Sequence, residues 1–269
     1  MKTNTIISAC VFIASLAALP ESQANTLLYG LDFNKLTTDQ DPDLSLDNKG
    51  AGTTSIGETG GYINYKVPTA EIDTPLHDQG YSHTPSLSSF KITDANGING
   101  LSMTEGFSIG FHLLQDGSST WKDAITFNFG DTSIKMEKGN NDSWLFYGGG
   151  GLEGKTVFST SVANAWDHVG FTFKGDKLQI FVNGSLTTTF TTTLADSSKI
   201  TEIKGGGGQK PGQNNILLDN FAVYDGELGE SGFKYLTNNA MTPTLSVPEP
   251  TTATLSLLSL IALMMRRRV

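Results

Sequence analysis

The sequence predicts an all-β protein, an antiparallel β-sandwich flanked by an N-terminal signal peptide and a C-terminal hydrophobic sorting helix. Apolar and polar residues alternate along many short segments, which is the pattern of half-buried strands. The 269 residues include 30 glycines and only 17% charged residues, which suits strands joined by turns better than helices. We expect one domain, with a core large enough to need no disulfide.

The clearest predicted element is a β-hairpin over residues 165–184, with Gly175-Asp176 at its turn. Glycine in the first central position suits a type II′ turn, which closes a two-residue loop. This turn places the apolar residues of both strands on one face, and a slip of one residue would expose the second set. The expected pairs are Val169 with Val182, Phe171 with Ile180, and Phe173 with Leu178.

Further strands are expected on both sides of the hairpin, separated by loops rich in glycine, proline and polar residues. The glycine runs 148–151 and 205–208 must be loops, because a strand of glycines has no side chains to pack. The polar segments 35–61 and 68–89 are expected to be mostly irregular. Strands are expected at 25–34, 61–67, 106–113, 125–129, 134–137, 144–147 and from 216 onward.

The N-terminal segment has the parts of a secretory signal peptide. Lys2 precedes an apolar run over 6–19, which ends at Pro20 and is followed by Ser22-Gln23-Ala24. Small residues at this spacing predict a signal peptide over 1–24 and cleavage between Ala24 and Asn25. A membrane anchor is the alternative, but the run is short for crossing a bilayer.

The C-terminal segment also has three parts in order. Pro248, Glu249 and Pro250 precede an apolar run over 253–265, and three arginines follow at 266–268. The run is short for a span, and the arginines would stay on the cytoplasmic side. This arrangement closely resembles the PEP-CTERM sorting signal of Gram-negative bacteria. The resemblance implies a linker and signal over 242–269, transient membrane insertion, an exosortase as partner, and delivery to the cell surface or extracellular matrix. A plain membrane anchor remains the alternative.

Charge and cysteine content exclude two classes of function. The formal net charge is -9, and no arginine lies between Met1 and Met265. Nucleic-acid binding needs a basic surface, so we expect no such partner. The one cysteine, Cys10, lies in the signal peptide, so the mature chain has neither thiol chemistry nor a disulfide.

Three segments together carry a family resemblance. Trp-x-His-Val at 166–169 leads into a strand, a Gly-Asp turn and Leu-x-Ile-x-Val-Asn-Gly. GFSIGFHLL begins at Gly106, and ILLDNFAVYDGELGESGFKYL begins at Ile216. In order and spacing they resemble the central hairpin, an earlier strand, and the closing strand with its short last helix of laminin-G-like, concanavalin A-like jelly-roll domains. The resemblance implies a jelly roll over residues 25–241.

Asp219 is the first candidate metal ligand. It shares the parity of Leu217, Phe221 and Val223 in the predicted closing strand, and a carboxylate so placed needs a partner or a metal. Related jelly rolls often hold one structural calcium through an Asp of this strand and carbonyls near the first strand. The resemblance therefore implies calcium at Asp219, with Asp32 as a second candidate. An Asp219 that is hydrogen-bonded or exposed at a bulge is the alternative.

Three aromatic residues and an asparagine suggest a glycan site at the rim of the sandwich. Trp121, Trp144 and Tyr147 lie at or near strand ends, and Asn141 lies in the polar loop before Trp144. Aromatic faces stack on sugar rings, while amide side chains hydrogen-bond the hydroxyls. Core packing of each aromatic residue is the alternative.

Two possible catalytic patterns fail. Laminarinase-type hydrolases of this fold carry Glu-x-Asp-x-x-Glu on one strand, but the series that begins at Glu71-Ile72-Asp73 lacks the third carboxylate and contains Pro75. Asp167 and His168 cannot form a dyad, because neighbours in a strand point to opposite faces. We expect a structural role for His168 and no catalytic site.

The sequence thus predicts an exported, surface-associated, non-catalytic module that binds a glycan or a glycoprotein. Two alternatives remain open: a structural component of an exopolysaccharide or biofilm matrix, and a glycoside hydrolase.

Overall fold

The computed structural model describes residues 24–31, 56–59, 81–82, 89–93, 98–115, 123–139, 143–159, 165–205, 216–239, 241 and 244–246. These residues contain fifteen strands, one 3₁₀ helix over Ile98–Gly100 and one α-helix, α1, over Gly229–Asn238. The strands in chain order are β1 Ala24–Leu31, β2 Ile56–Thr59, β3 Tyr81–Ser82, β4 Ser89–Thr93, β5 Phe107–Gln115, β6 Asp123–Phe129, β7 Thr132–Lys138, β8 Ser143–Gly148, β9 Thr156–Ser159, β10 Trp166–Lys174, β11 Lys177–Val182, β12 Ser185–Thr191, β13 Glu202–Gly205, β14 Ile216–Asp225 and β15 Thr244–Ser246.

The strands form two antiparallel sheets. The first sheet has the order β12-β11-β10-β5-β14-β1-β15, with β3 paired to β14, and the second has the order β2-β4-β13-β6-β7-β8-β9. β5 lies between β10 and β14, which joins the central hairpin to the closing strand. The predicted antiparallel sandwich is confirmed.

The predicted hairpin register is also confirmed. β10 and β11 pair Val169 with Val182, Phe171 with Ile180 and Phe173 with Leu178, and all six side chains belong to the core or pack against it. Gly175 has a φ of 56°, as the first central position of a type II′ turn requires. The next turn, at Asn183-Gly184, has φ angles of 49° and 81°, which fits a type I′ turn.

Phenylalanine rings join the two sheets across the core. Phe107 and Phe173 of the first sheet stack with ring centroids 4.8 Å apart. Phe127 of the second sheet meets Phe171 edge-on at 5.3 Å and Phe173 edge-on at 5.4 Å. Full burial of such a side chain stabilises the fold by roughly 1.5–3 kcal/mol.

Helix α1 packs on the outer face of the first sheet. Its Phe233 is fully buried and lies 4.6 Å from Phe181 and 6.0 Å from His168, measured between ring centroids. A Cβ atom added to Gly170 of β10 would overlap the Phe233 ring. The absence of a side chain at position 170 therefore lets the helix approach the sheet closely.

Some sequence predictions fall outside the described residues. These are the strand over 61–67, residues 68–80 and 83–88 of the predicted irregular segment, Glu71 and Asp73, and the motif Pro248, Glu249 and Pro250. The remaining residues of the segment 68–89 lie in β3 and β4, so the irregular structure predicted there is wrong. The signal peptide lies outside up to residue 23, and the apolar run over 253–265 lies outside completely. Residues 25–245 form one compact unit. In the described part of the chain, no helix combines the length and apolar character that a membrane span needs.

The contact between Gly170 and Phe233 predicts a coupled pair of substitutions. Gly170→Ala should lower the free energy of unfolding by about 1–3 kcal/mol, because the added methyl overpacks the helix–sheet junction. In a Phe233→Ala background the same change should cost much less, because the ring is gone. Urea denaturation of the wild type, both single variants and the double variant measures this coupling. Additive effects would contradict the proposed contact.

Candidate ligand-binding site

Trp144 lies in the core and not at a rim. Its side chain is fully buried and stacks against Phe158, with ring centroids 6.2 Å apart and an angle of 19° between the planes. It shares the inward parity of Phe146 on β8. The structure therefore supports the core-packing alternative for Trp144, and its ring faces do not offer a platform for a sugar.

Three other candidate residues lie outside the described part of the chain. Trp121 and Asn141, proposed as ligand-binding residues, fall in the segments 116–122 and 140–142, and Asp32 follows the end of β1. Their predicted roles stay predictions.

Asp219 is fully buried, but it does not share a face with Phe221 and Val223 as the alternation suggested. The ladder between β14 and β5 shifts register between Asp219 and Ala222, and Asn220 at this bulge has a φ of 47°. Phe221 and Val223 therefore point into the core, whereas Asp219 lies opposite His112 on the outer face of the first sheet.

The Asp219 carboxylate is partly satisfied by its neighbour in the chain. It accepts hydrogen bonds from the backbone N–H of Asn220 at 2.7 Å and from the Asn220 side-chain amide at 3.2 Å. Calcium prefers six to eight oxygen ligands, and no group of three or more His, Cys, Asp or Glu side chains in the described residues could hold a metal. Among the described residues Asp219 is thus not part of a side-chain metal cluster, and calcium held by Asp219 together with backbone carbonyls remains a prediction.

The side chains of Asp167 and His168 point to opposite faces of the sheet, as expected of adjacent strand residues. The Asp167 carboxylate accepts a hydrogen bond from the Asn183 amide at 2.9 Å, and burial raises its pKa against the opposing effect of that bond. His168 is buried beneath α1, with its ring 4.8 Å from that of His112 in an edge-on contact. They do not form a hydrolase dyad.

Tyr147 is the predicted ligand-binding residue that the structure places on a surface. It is half-buried on β8 and has the opposite parity to Trp144 and Phe146, so it lies on the outer face of the second sheet. Tyr147 pairs with Lys135 of β7. We use the name polar face for the set Asp123, Lys135, Glu137, Tyr147 and Glu153.

A β-bulge brings Asp123 onto the polar face. Strict alternation would place it inward with Ile125, but the register shifts between these two residues, and Asp123 pairs with Glu137. Lys135 Nζ lies 3.2 Å from Asp123 Oδ2, and the Asp123 side chain is only 12% exposed. Glu137 forms a side-chain hydrogen bond with Asp123. Two carboxyl groups in such contact need a proton between them.

The electrostatics of the polar face agree with this geometry. Partial burial, with the hydrogen bond and the negative charge of Asp123, raises the pKa of Glu137 to about 7, although Lys135 opposes the shift. The charge of Glu153 adds to it. The pKa of the Tyr147 hydroxyl is also raised, first by burial and then by Glu137 and Glu153. The face is therefore acidic, with one carboxyl protonated near neutral pH.

The loop after β8 supports one side of the polar face. Glu153 Oε2 accepts a hydrogen bond from the Gly148 N–H at 2.5 Å, and Gly149 N–H donates to the Ser133 carbonyl at 2.8 Å. Gly148 has a φ of 102°, and a Cβ atom there would overlap the Ser133 carbonyl oxygen. The predicted loop is confirmed over 149–151, whereas Gly148, like Gly205 of the second glycine run, is the last residue of a strand. Gly148 and Gly149 permit the close approach to β7.

Polar residues continue beside the polar face onto β13. The Asn128 amide donates to Glu202 Oε1 at 2.8 Å, and Lys204 pairs with Thr126. The outer surface of the second sheet thus offers both donors and acceptors from β13 across to β8, which is what recognition of a hydroxyl-rich ligand requires.

Sequence reasoning missed four members of the polar face. Lys135 and Glu137 alternate with the buried Ile134 and Met136, so strand periodicity could have placed them beside Tyr147. No comparable signal exists for Asp123, because its orientation depends on a bulge, or for Glu153, because it lies in the loop after β8.

A family model, Laminin_G_3, described as the concanavalin A-like lectin/glucanases superfamily, matches residues 88–231, more than half of the chain. No curated protein matches the sequence. The Botulinum neurotoxin serotype D binding domain superposes with a TM-score of 0.57 at 14% identity, over 79% of this chain and 50% of that chain. This chain thus spans about half the length of that domain.

Two further solved structures share the fold. One is domain 4 of AbnA, a GH43 extracellular arabinanase from Geobacillus stearothermophilus, in complex with arabinotriose; the TM-score is 0.54 at 17% identity, over 80% of this chain and 100% of that chain. The other is the binding domain of Paraclostridial Mosquitocidal Protein 1, with a TM-score of 0.54 at 18% identity, over 79% of this chain and 52% of that chain. At these identities the similarity shows the fold alone.

The protonated Glu137 predicts that stability falls as the pH rises. Below pH 4.5, which is the ordinary pKa of a glutamate, the folded and unfolded states both hold this proton, and the stabilisation that Glu137 contributes is complete. That stabilisation is lost as the pH rises through the folded-state pKa of about 7. Between these values only the folded state holds the proton, so the free energy of unfolding declines. Urea denaturation at several pH values should show a shallower decline for Glu137→Gln.

Asp131→Asn is the matched control, since Asp131 is exposed in the β6–β7 turn and its removal makes the same change in charge. This variant should keep the wild-type decline. Equal pH slopes for the wild type and Glu137→Gln would show that Glu137 titrates normally.

Proposed function

The chain belongs to the concanavalin A-like lectin/glucanases superfamily, and we propose that it is an exported, surface-associated, non-catalytic module that binds a glycan or a glycosylated protein. The observation that carries this proposal is the polar face around Tyr147. A half-buried aromatic ring on a sheet surface can stack on a sugar ring. The lysine and carboxyl groups beside it can hydrogen-bond the sugar hydroxyls.

The similar structures support a ligand of this class. Domain 4 of the arabinanase has the same fold and was solved with arabinotriose, and the neurotoxin structure is a binding domain. A shared fold does not transfer a ligand, so the proposal depends on the residues of the polar face themselves.

The spacing of the carboxyl groups argues against glycoside hydrolysis at this face. Retaining glycosidases hold their two carboxyl groups about 5–5.5 Å apart, and inverting enzymes hold them about 6.5–9.5 Å apart. Asp123 and Glu137 lie directly opposite each other on adjacent strands of one sheet, so they do not face each other across a cleft that could hold a glycosidic bond. A binding role therefore fits this pair better than catalysis.

Export and sorting complete the proposal. Signal peptidase removes residues 1–24, and an exosortase recognises the tail that contains Pro248, Glu249 and Pro250. The body of the chain then reaches the cell surface or extracellular matrix. The order of motif, apolar run and arginines in the sequence supports this part of the proposal.

Tyr147→Ala should weaken glycan binding about tenfold, which corresponds to about 1.4 kcal/mol, because it removes the ring that would stack on the sugar. A glycan array, followed by calorimetry on the best ligand, measures the effect with calcium and with EDTA. Tyr235→Ala is the matched control, because Tyr235 is 40% exposed on α1, which packs on the other sheet. Equal affinity of Tyr147→Ala and the wild type would place the ligand elsewhere.

The sorting signals make a separate prediction. Expressed in a bacterium with an exosortase, the protein should appear outside the cell with Asn25 as its first residue, as mass spectrometry can determine. Replacement of Pro248, Glu249 and Pro250 by alanine should leave the chain in the membrane fraction with its C-terminal tail intact. Normal surface delivery of this variant would refute the sorting role.

A further inference from the structure

The Asp123–Glu137 pair lies at the centre of the polar face and holds two carboxyl groups in contact. The bulge in β6 turns Asp123 outward, and the ladder places Glu137 of β7 directly opposite. This pairing brings the two carboxyl groups together, and the raised pKa of Glu137 places the proton on Glu137, whose O–H then donates to the Asp123 carboxylate. Because the two carboxyl groups bond to each other, they accept fewer hydrogen bonds from a ligand.

The charged groups around the pair act on this proton in opposite directions, and those that favour its retention prevail. Lys135 of β7 lies 3.2 Å from Asp123. Glu153, from the loop after β8, and Tyr147 of β8 act from the other side. On β13, Glu202 is occupied by Asn128, and Lys204 lies opposite Thr126. The negative charges of Asp123 and Glu153 thus raise the pKa of Glu137, and the charge of Lys135 lowers it.

We propose that the polar face couples glycan binding to proton release: an uncharged, hydroxyl-rich glycan binds the ionised Asp123–Glu137 pair and displaces the proton that the two carboxyl groups share. This inference rests on the function proposed above for the same face. In the exchange, the O–H bond of Glu137 breaks and its proton goes to the buffer. The sugar hydroxyls keep their own protons and donate hydrogen bonds to both carboxylates.

The strength of the new hydrogen bonds gives the direction of the coupling. Hydrogen bonds to an ionised carboxylate are roughly twice as strong as bonds between neutral groups. A glycan brings several hydroxyl donors, so it can satisfy two carboxylates at once and relieve the repulsion between them. The ionised pair should therefore bind such a ligand better than the protonated pair.

The charge of the face also selects the class of glycan. The whole chain has a formal net charge of -9, and Lys135 is already engaged with Asp123. A uronic acid or a sulfated sugar would meet carboxylates at the centre of the site, and like charges in such a position oppose binding. Neutral glycans avoid this cost.

The test measures binding of arabinotriose, cellotetraose and tetragalacturonic acid to the exported protein by calorimetry at pH 5.5 and pH 8. Affinity for the neutral probe that binds should rise about 30-fold with pH, because the ionised fraction of a group that titrates near pH 7 rises by that factor. Near pH 7, the binding enthalpy should differ between buffers of different ionisation enthalpy, which would show net proton release. Tetragalacturonic acid should bind more weakly at both pH values.

Glu137→Gln mimics the protonated pair, because the glutamine amide can still donate to Asp123. It should bind weakly at both pH values and release no proton, whereas Asp131→Asn should behave as the wild type. If Glu137 contributed only to folding, a folded Glu137→Gln variant would still release a proton when the glycan binds. Restored pH dependence in Glu137→Asp would support the carboxyl assignment further.

Carboxyl carbon NMR tests the pair without any ligand. The Glu137 resonance should titrate near neutral pH, and titration near pH 4.5 would overturn the inference. Binding that Tyr147→Ala weakens as predicted, but that shows neither pH dependence nor proton release, would overturn the inference and leave the proposed function intact. If neither arabinotriose nor cellotetraose binds a folded protein whose Glu137 titrates near neutral pH, the inference is overturned, and a blank glycan array would overturn the proposed function as well.

Discussion

Burial of phenylalanine and aliphatic side chains between two sheets is the constraint on which the rest of the structure depends. Phe127 packs edge-on against Phe171 and Phe173, so one face of each contributing strand must point inward. Successive strand residues point to opposite faces, and their neighbours are therefore directed outward. The outer face of the second sheet is therefore polar and carries Tyr147, whereas the outer face of the first sheet packs against α1.

Two β-bulges decide where the acidic residues lie. In both cases strict alternation would direct an aspartate into the core, and one shift of register turns it onto an outer face. Asp219 then lies opposite His112 in the ladder, and Asp123 lies opposite Glu137. A buried carboxylate without partners is costly, so the bulges remove a conflict between the polar residue and the core.

Much of the fold follows from the sequence, because turn chemistry and alternation act on neighbouring residues. The register of β10 and β11 could be calculated from Gly175-Asp176 alone. The candidate site could be predicted only in part. Trp144 and Tyr147 are three residues apart and look equivalent as isolated aromatics, but opposite parity on β8 buries the first and exposes part of the second. A bulge, which inserts one residue into a regular pattern, leaves no comparable local signal at Asp123.

The central claim is that the outer face of the second sheet binds a glycan. The most direct measurement is an NMR titration of isotope-labelled protein with the glycan that binds best, followed through the backbone amide shifts. If the ligand binds the polar face, the largest shifts will lie in β6, β7 and β8, around Lys135, Glu137 and Tyr147. Shifts confined to the first sheet and α1, with these three strands unchanged, would contradict it.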